Sequence, residues 1–426
     1  MKIEIVHGRI LDPAGAVDRV GTLYLAGGAI AGVDAKPAGW TADRTIDATG
    51  LVVAPGLVDI SARLREPGLE YKATLESEMA AAIAGGVTSL ACPPDTDPVL
   101  DEPGLVEMLK HRARSLHQAR VYPVGALTLG LAGESLTEMS ELTEAGCVAF
   151  SQGDVPLADT DLLWRAMQYA STFGYALWLR PQDPHLGRNG IAHDGEIATR
   201  LGLAGIPAIA ETIALSGILA LVRDTGVRVH VTRLSSAESV ALVRAAKREG
   251  LPVTADVAIH HLHLCDVDIG WFDSHARLVP PLRTTRDRAA LRAGVADGTI
   301  DVVCSDHAPV DDDAKQVPFG EAEPGATGLE LLLPLTLKWA KEEGVPLARA
   351  IAGITIEPAR LMGIEAGSLA AGRAADVCVF DPEGWWKVER AALRSQGKNT
   401  PFLGLEVPGR VRYTVVGGHV VHESQR

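Results

Sequence analysis

None of the five cysteines (Cys92, Cys147, Cys265, Cys304 and Cys378) stands in a C-x-x-C spacing with another. Scattered in this way, they read as the reduced, buried thiols of a cytoplasmic protein. Basic charge is also short: 40 Lys and Arg stand against 54 Asp and Glu, a formal net charge of −14. Nonspecific nucleic-acid binding needs a basic surface to displace counterions, so nucleic acid is excluded as a partner. The acidic surplus favours solubility and carries no information about fold. No apolar stretch reaches the roughly 18 residues of a membrane span. The first six residues alternate like a strand and lack the apolar core of a signal peptide. A short-period repeat, a low-complexity tract and a glycine-rich phosphate loop are all missing, so glycines such as Gly195 and Gly328 mark tight turns.

What remains is a chain of 426 residues, 47% hydrophobic and 22% charged. That length exceeds one ordinary core and suits a barrel of about 250 residues plus a smaller domain. Near the start, short alternating runs broken by glycine (2–6, 21–25, 29–33 and 44–53) predict antiparallel strands with tight turns. Runs at 375–380 and 411–421, the second interrupted by Gly417-Gly418, repeat the style at the end. One small β-sandwich domain built from 1–54 and 364–426 is therefore expected. Between them, at 55–363, apolar runs end near Asp59, Ala91, Gly125, Ser151, Leu179, Val231, Val257 and Ser305. Segments such as 76–84, 162–169 and 237–248 carry apolar residues three and four apart, the helical period. Eight strand–helix units predict an α/β fold, a (β/α)8 TIM barrel, whose site lies at the C-terminal ends of the strands.

The motifs fall at those ends. Pro55-Gly56-Leu57-Val58-Asp59-Ile60-Ser61-Ala62-Arg63-Leu64-Arg65-Glu66-Pro67-Gly68 resembles the first-strand signature of dihydroorotases, members of the amidohydrolase superfamily, in which P-G-x-x-D-x-H-x-H-L-R-E-P-G is the pattern. Further along, Cys92-Pro93-Pro94-Asp95-Thr96-Asp97-Pro98 resembles M-P-N-T-x-P. Gly202-Leu203-Ala204-Gly205-Ile206-Pro207 with Ala210-Glu211 is similar to G-L-x-G-x-P-x-x-A-E. Ser305-Asp306-His307-Ala308-Pro309 equals S-D-H-A-P, and Asn399-Thr400-Pro401-Phe402 precedes the closing Gly417-Gly418. In order, these motifs span some 400 residues of the chain.

The resemblance implies two divalent metals, usually zinc, that activate water against a cyclic amide. Zinc takes imidazole, carboxylate or thiolate ligands. Two histidines at i and i+2 of a strand point to one side and can grip one ion. At those two positions stand Ser61 and Arg63. The bridging-acid positions hold Gln152 and Gly153, with Asp154 two strand residues further on, about 6–7 Å away and out of reach unless the loop is rebuilt. The remaining histidine positions hold Arg180 and Arg233, while Asp306 survives. Arginine is a donor only and cannot ligate a cation. Like charges about 4 Å apart repel by roughly 4 kcal/mol at an effective dielectric of 20, so the arginines are expected to exclude a metal as well. Hence no cofactor is expected, no catalytic residue is assigned, and Asp306 is read as a vestige and a counter-ion for an arginine. In the pocket that the resemblance assigns to substrate, Arg65 and His307 remain. Asp95 replaces an amide there, as does Val279 in Leu278-Val279-Pro280-Pro281-Leu282-Arg283.

His230 and His193 are expected to be hydrogen-bonded structural histidines, and the group His260, His261 and His263 is expected to be no part of a metal centre. The leading expectation is a catalytically inactive dihydroorotase homologue, a pseudoenzyme and not an enzyme. The resemblance extends to non-catalytic bacterial chains that serve as assembly subunits of aspartate transcarbamoylase in pyrimidine biosynthesis. A homodimer within that hetero-oligomer, bound to its catalytic chain, follows from the same resemblance. Two alternatives stay open: an active cyclic amidohydrolase with a site rebuilt around Asp306, His230 and the 260–263 histidines, and a small-anion sensor using Arg63, Arg65, Arg180 and Arg233.

Overall fold

The computed structural model describes residues 1–424; residues 425 and 426, the end of the expected terminal domain, lie outside the described residues. Eight parallel strands occupy the middle of the chain. They are Leu57–Asp59, Val87–Cys92, a third in two pieces (Arg120–Pro123 and Gly125–Ala126), Phe150–Ser151, Ala176–Leu179, Arg228–Val231, Val253–Ala258 and Val302–Cys304. Each pairs with its successor. The ring closes just past the strand ends, where Ala62 and His307 form a parallel bridge. There Arg63 N donates to His307 O at 2.8 Å and His307 N to Ser61 O at 3.0 Å. This closure sets Ser61, Arg63 and Asp306 side by side at the C-terminal face.

Helices between the strands begin and end on local chemistry. Thr74 and Ser77 form a reciprocal capping box ahead of Leu75–Ala84, satisfying two otherwise unpaired amides. Thr160–Phe173 is longer than its apolar period suggests. Asp159 Oδ1 accepts from Asp161 N and Leu162 N and so starts the helix early, and Gly174 at φ +74° ends it. The buried faces of these helices and of the strands form one main core around Trp339 and Phe150. Each fully buried Leu, Ile or Phe there contributes about 1.5–3 kcal/mol of transfer free energy.

Strands from both chain ends share one eight-stranded sheet. Ala29–Val33, Val17–Ala26, Lys2–Asp12, Val52–Pro55, Val377–Lys387, Glu406–Val416 and His419–Glu423 lie in that order, with Arg44–Asp47 also beside Lys2–Asp12. The two-residue period of a strand divides its faces. Val53, Val377 and Val379 join Ile3, Ile5 and Leu25 in a core of their own, while Val52, Ala54, Cys378 and Phe380 pack into the barrel core. Alternating side chains thus weld the small domain to the barrel. Two details differ from the sequence expectation. The single run 44–53 is two strands, broken where Asp47 Oδ1 accepts from Thr49 N and Gly50 takes φ +79°. Both pieces pair in parallel with Lys2–Asp12 because the intervening hairpins return the chain in the same direction. Among the described residues, no helix is long and apolar enough to cross a membrane.

Candidate functional site

The C-terminal ends of strands one, four, five, six and eight bring Arg63, Asp154, Arg180, Arg233 and Asp306 into one cluster. Arg63 sits at its centre. Its Nε donates to Asp95 Oδ2 at 2.7 Å, Nη2 to Asp154 Oδ2 at 2.8 Å and Nη1 to Asp306 Oδ1 at 3.2 Å. Arg233 Nη2 reaches Asp154 Oδ1 at 2.5 Å, and its Nη1 lies 3.3 Å from both Asp306 Oδ1 and Val279 O. Arg180 Nε lies 3.3 Å from Asp154 Oδ1; its Nη2 donates to Asp154 O at 2.6 Å and its Nη1 to Gln182. Ser61 Oγ completes the set, donating to Asp306 Oδ1 at 3.2 Å.

Asp154 is therefore the hub, contrary to the spacing argument that put it out of reach. The chain leaves the fourth strand at Ser151, and Gly153 takes φ +59°. A left-handed residue turns the backbone instead of extending it, which a strand's rise per residue does not anticipate. Gln152, at the bridging-acid position, faces away. Its Oε1 accepts from Thr128 Oγ1 at 3.0 Å and its Nε2 donates to Leu131 O at 2.8 Å.

The charges balance. Asp95, Asp154 and Asp306 offset Arg63, Arg180 and Arg233 one for one, so unrelieved repulsion among arginines is not the state of this centre. Burial alone would raise the Asp154 carboxyl, but Arg233, Arg63 and Arg180 outweigh it and hold the group far below the usual carboxylate range. Asp306 is lowered in the same way, burial being outweighed by Arg233 and Arg63. Arg180, which has one acidic partner, is brought down by burial to about 10. Every guanidinium remains a donor with no lone pair to give a cation.

Arg65 stands apart. It lies at φ +63°, its Nε donates to Pro309 O at 2.8 Å, and burial followed by the charge of Arg63 lowers its pKa. Among the described residues it is the buried arginine of this face without a carboxylate partner. The loop that carries it is fixed by close approach: a Cβ on Gly68, at φ +87°, would lie 1.8 Å from Asp97 O.

Other sequence candidates fall into supporting roles. His307 was expected as a remnant of the pocket. It is instead fully buried, with Nε2 2.5 Å from Glu78 Oε2 and Nδ1 accepting from Gly328 N at 3.1 Å. Asp95 serves Arg63, and Val279 contributes only its carbonyl. His230 bonds Thr254 Oγ1 at 2.8 Å and Asp256 Oδ2 at 2.9 Å, and His193 Nδ1 lies 3.1 Å from Arg283 Nη1. The histidines of 260–263 do not converge. His261 Nε2 faces Pro281 O and His263 Nε2 faces Leu335 O, while His260 Nε2 is 3.9 Å from Asp306 Oδ2. Burial pushes His260 down to about 3 and His261 and His263 to about 4, so all three are neutral near pH 7. Among the described residues, no group of three or more His, Cys, Asp or Glu side chains is placed to hold a metal ion.

Sequence reasoning missed Asp256, whose Oδ1 accepts from Arg233 N at 2.9 Å while Oδ2 holds His230. Arg233 stands at φ +55°, and this bond pins its backbone. An acid inside the apolar run Val253–Ala258 was the available signal.

Comparison with known proteins gives a consistent set of relatives. A dihydro-orotase-like family profile matches residues 50–239, and an amidohydrolase family profile matches 191–421. The chain is 47% identical over 424 residues to a dihydroorotase-like protein of Pseudomonas aeruginosa, covering 100% of each. It is 46% identical to a dihydroorotase-like protein of Pseudomonas putida, covering 99% of each. It is also 43% identical to a dihydroorotase of Anaeromyxobacter sp. (strain K), covering 99% of this chain and 98% of the other. Among solved structures, L-hydantoinase from Arthrobacter aurescens matches with a TM-score of 0.90 at 24% identity, over 100% of this chain and 96% of that one. That last likeness is one of fold.

Proposed function

Since the chain belongs to the amidohydrolase family and is a dihydroorotase-like protein over its whole length, we propose that it is a non-catalytic member that works as an assembly subunit. The observation that carries this reading is the cluster of Arg63, Arg180 and Arg233 locked onto Asp154 and Asp306. Metal-dependent hydrolysis in this family would need imidazole and carboxylate lone pairs at those positions. The donor set does not fit a pair of divalent ions: guanidinium groups stand where ligands would, and the carboxylates present are already bonded to them. Admitting a metal would require withdrawing Asp154 and Asp306 from buried arginines, at a cost of several kcal/mol for each cation left unpaired.

A scaffold retained after its chemistry is lost still has a shape to present. The resemblance supplies the partner, the catalytic chain of aspartate transcarbamoylase, with this chain as a homodimer inside a larger cytoplasmic complex of pyrimidine biosynthesis. Mixed with the transcarbamoylase catalytic chain of its own organism, the purified protein is expected to co-elute in gel filtration ahead of either component. Separate elution at every mixing ratio would sink the assignment.

A further inference from the structure

At the opposite, N-terminal end of the barrel, a cleft of about 970 Å³ opens between the end of helix Pro103–Ser115, the start of the third strand and the turn before His419. Its size is that of a small-molecule site, and it lies where two parts of the fold meet, as such sites commonly do. Lys110, Arg114, His117, Arg120 and His419 line it and, among the described residues, no acidic side chain does, in a chain whose net charge is −14. Two of the cations are engaged: Lys110 Nζ donates to Ala145 O at 2.5 Å and Arg120 pairs with Asp376. Arg114 is exposed, and among the described residues its side chain has neither an ion pair nor a hydrogen bond.

The remainder of the lining is of another kind. Val121, Val148 and Val416 give an apolar wall beside the half-buried ring of Tyr122. Cations beside an apolar wall that carries an aromatic ring describe a molecule with an anionic chain at one end and a planar ring at the other.

We propose that this cleft binds a small molecule of the nucleoside polyphosphate class, its phosphates on Arg114 and Lys110 and its base against Tyr122. The site is separate from the arginine–aspartate cluster. Titration calorimetry on the full chain with ATP, tripolyphosphate and adenosine tests it. ATP is expected to bind, and to bind at least about tenfold more tightly than either fragment, since phosphate and ring each contribute one part of the contact. Arg114→Glu is expected to weaken ATP at least about tenfold, and Arg114→Gln by a smaller factor, with both variants retaining the wild-type unfolding transition. Raising salt from low to physiological strength is expected to weaken binding because the contact is charge on charge. Absence of ATP binding at millimolar concentration, or binding that Arg114→Glu leaves unchanged, would overturn the proposal. Tripolyphosphate binding as tightly as ATP would overturn the ligand class.

Discussion

Asp306→Asn is expected to lower the unfolding free energy by about 3–5 kcal/mol, the cost of leaving buried cations without their carboxylate. The substitution isolates charge from shape. Asp306 lies at φ +44°, a conformation that asparagine tolerates as aspartate does, so no new backbone strain enters. Its side chain is only 7% exposed and faces Arg63 Nη1, Arg233 Nη1 and Ser61 Oγ within 3.3 Å. All three donors meet Oδ1, an oxygen the amide keeps, but the amide loses the charge for all of them. Arg63 retains Asp95 and Asp154, which places the effect below the sum of its lost contacts. Denaturant unfolding of the two proteins side by side provides the measurement. A change under about 0.5 kcal/mol would mean that the arginines do not depend on this acid.

The second large effect is a steep loss of stability in acid. Asp154 and Asp306 are held below the usual carboxylate range in the folded protein, where the neighbouring arginines outweigh the effect of burial. Groups lowered on folding add stability that is present above their unfolded pKa of about 3.9 and is lost as pH falls through the folded value. A single aspartate lowered by about two units accounts for about 2.6 kcal/mol in that way, and two coupled ones act on the same arginines. Asp59 and Glu330 run in the opposite sense. Burial raises them to about 6 and about 7, so their contribution falls as pH rises from about 4 toward those values. Stability is therefore expected to drop sharply below about pH 4, and the acid limb to be shallower in Asp306→Asn, where one of the lowered groups is gone. Parallel acid limbs in the two proteins would contradict the assignment.

Much of the barrel was legible because each strand is a short apolar run that stops at a polar motif. The runs ending at Asp59, Leu179 and Val231 end there in the structure as well. The interlocking of the small domain was legible in part: alternation identified the strands, but not that 44–53 breaks at Gly50 and pairs in parallel. At the site, residue type told which side chains could not ligate a cation. Position was harder to read. Asp154 enters the centre because Gly153 adopts a left-handed turn, and a count of strand residues carries no signal of a turn. His307 adjoins Asp306 in sequence, yet both lie past the strand that ends at Cys304, and with Asp306 at φ +44° the chain carries His307 away from the cluster, onto Glu78. The basic cleft was invisible for a different reason: its walls come from segments near 114, 122, 148 and 419, which only the closed fold brings together.

The most direct test of the account joins two readings on one purified sample: bound zinc per chain after growth and dialysis with zinc supplied, and dihydroorotase turnover in both directions. With guanidinium groups at Arg63, Arg180 and Arg233 bonded to Asp154 and Asp306, zinc is expected far below one ion per chain, and turnover no faster than the uncatalysed reaction. Stoichiometric zinc, together with dihydroorotase activity that a chelator abolishes and added zinc restores, would contradict it.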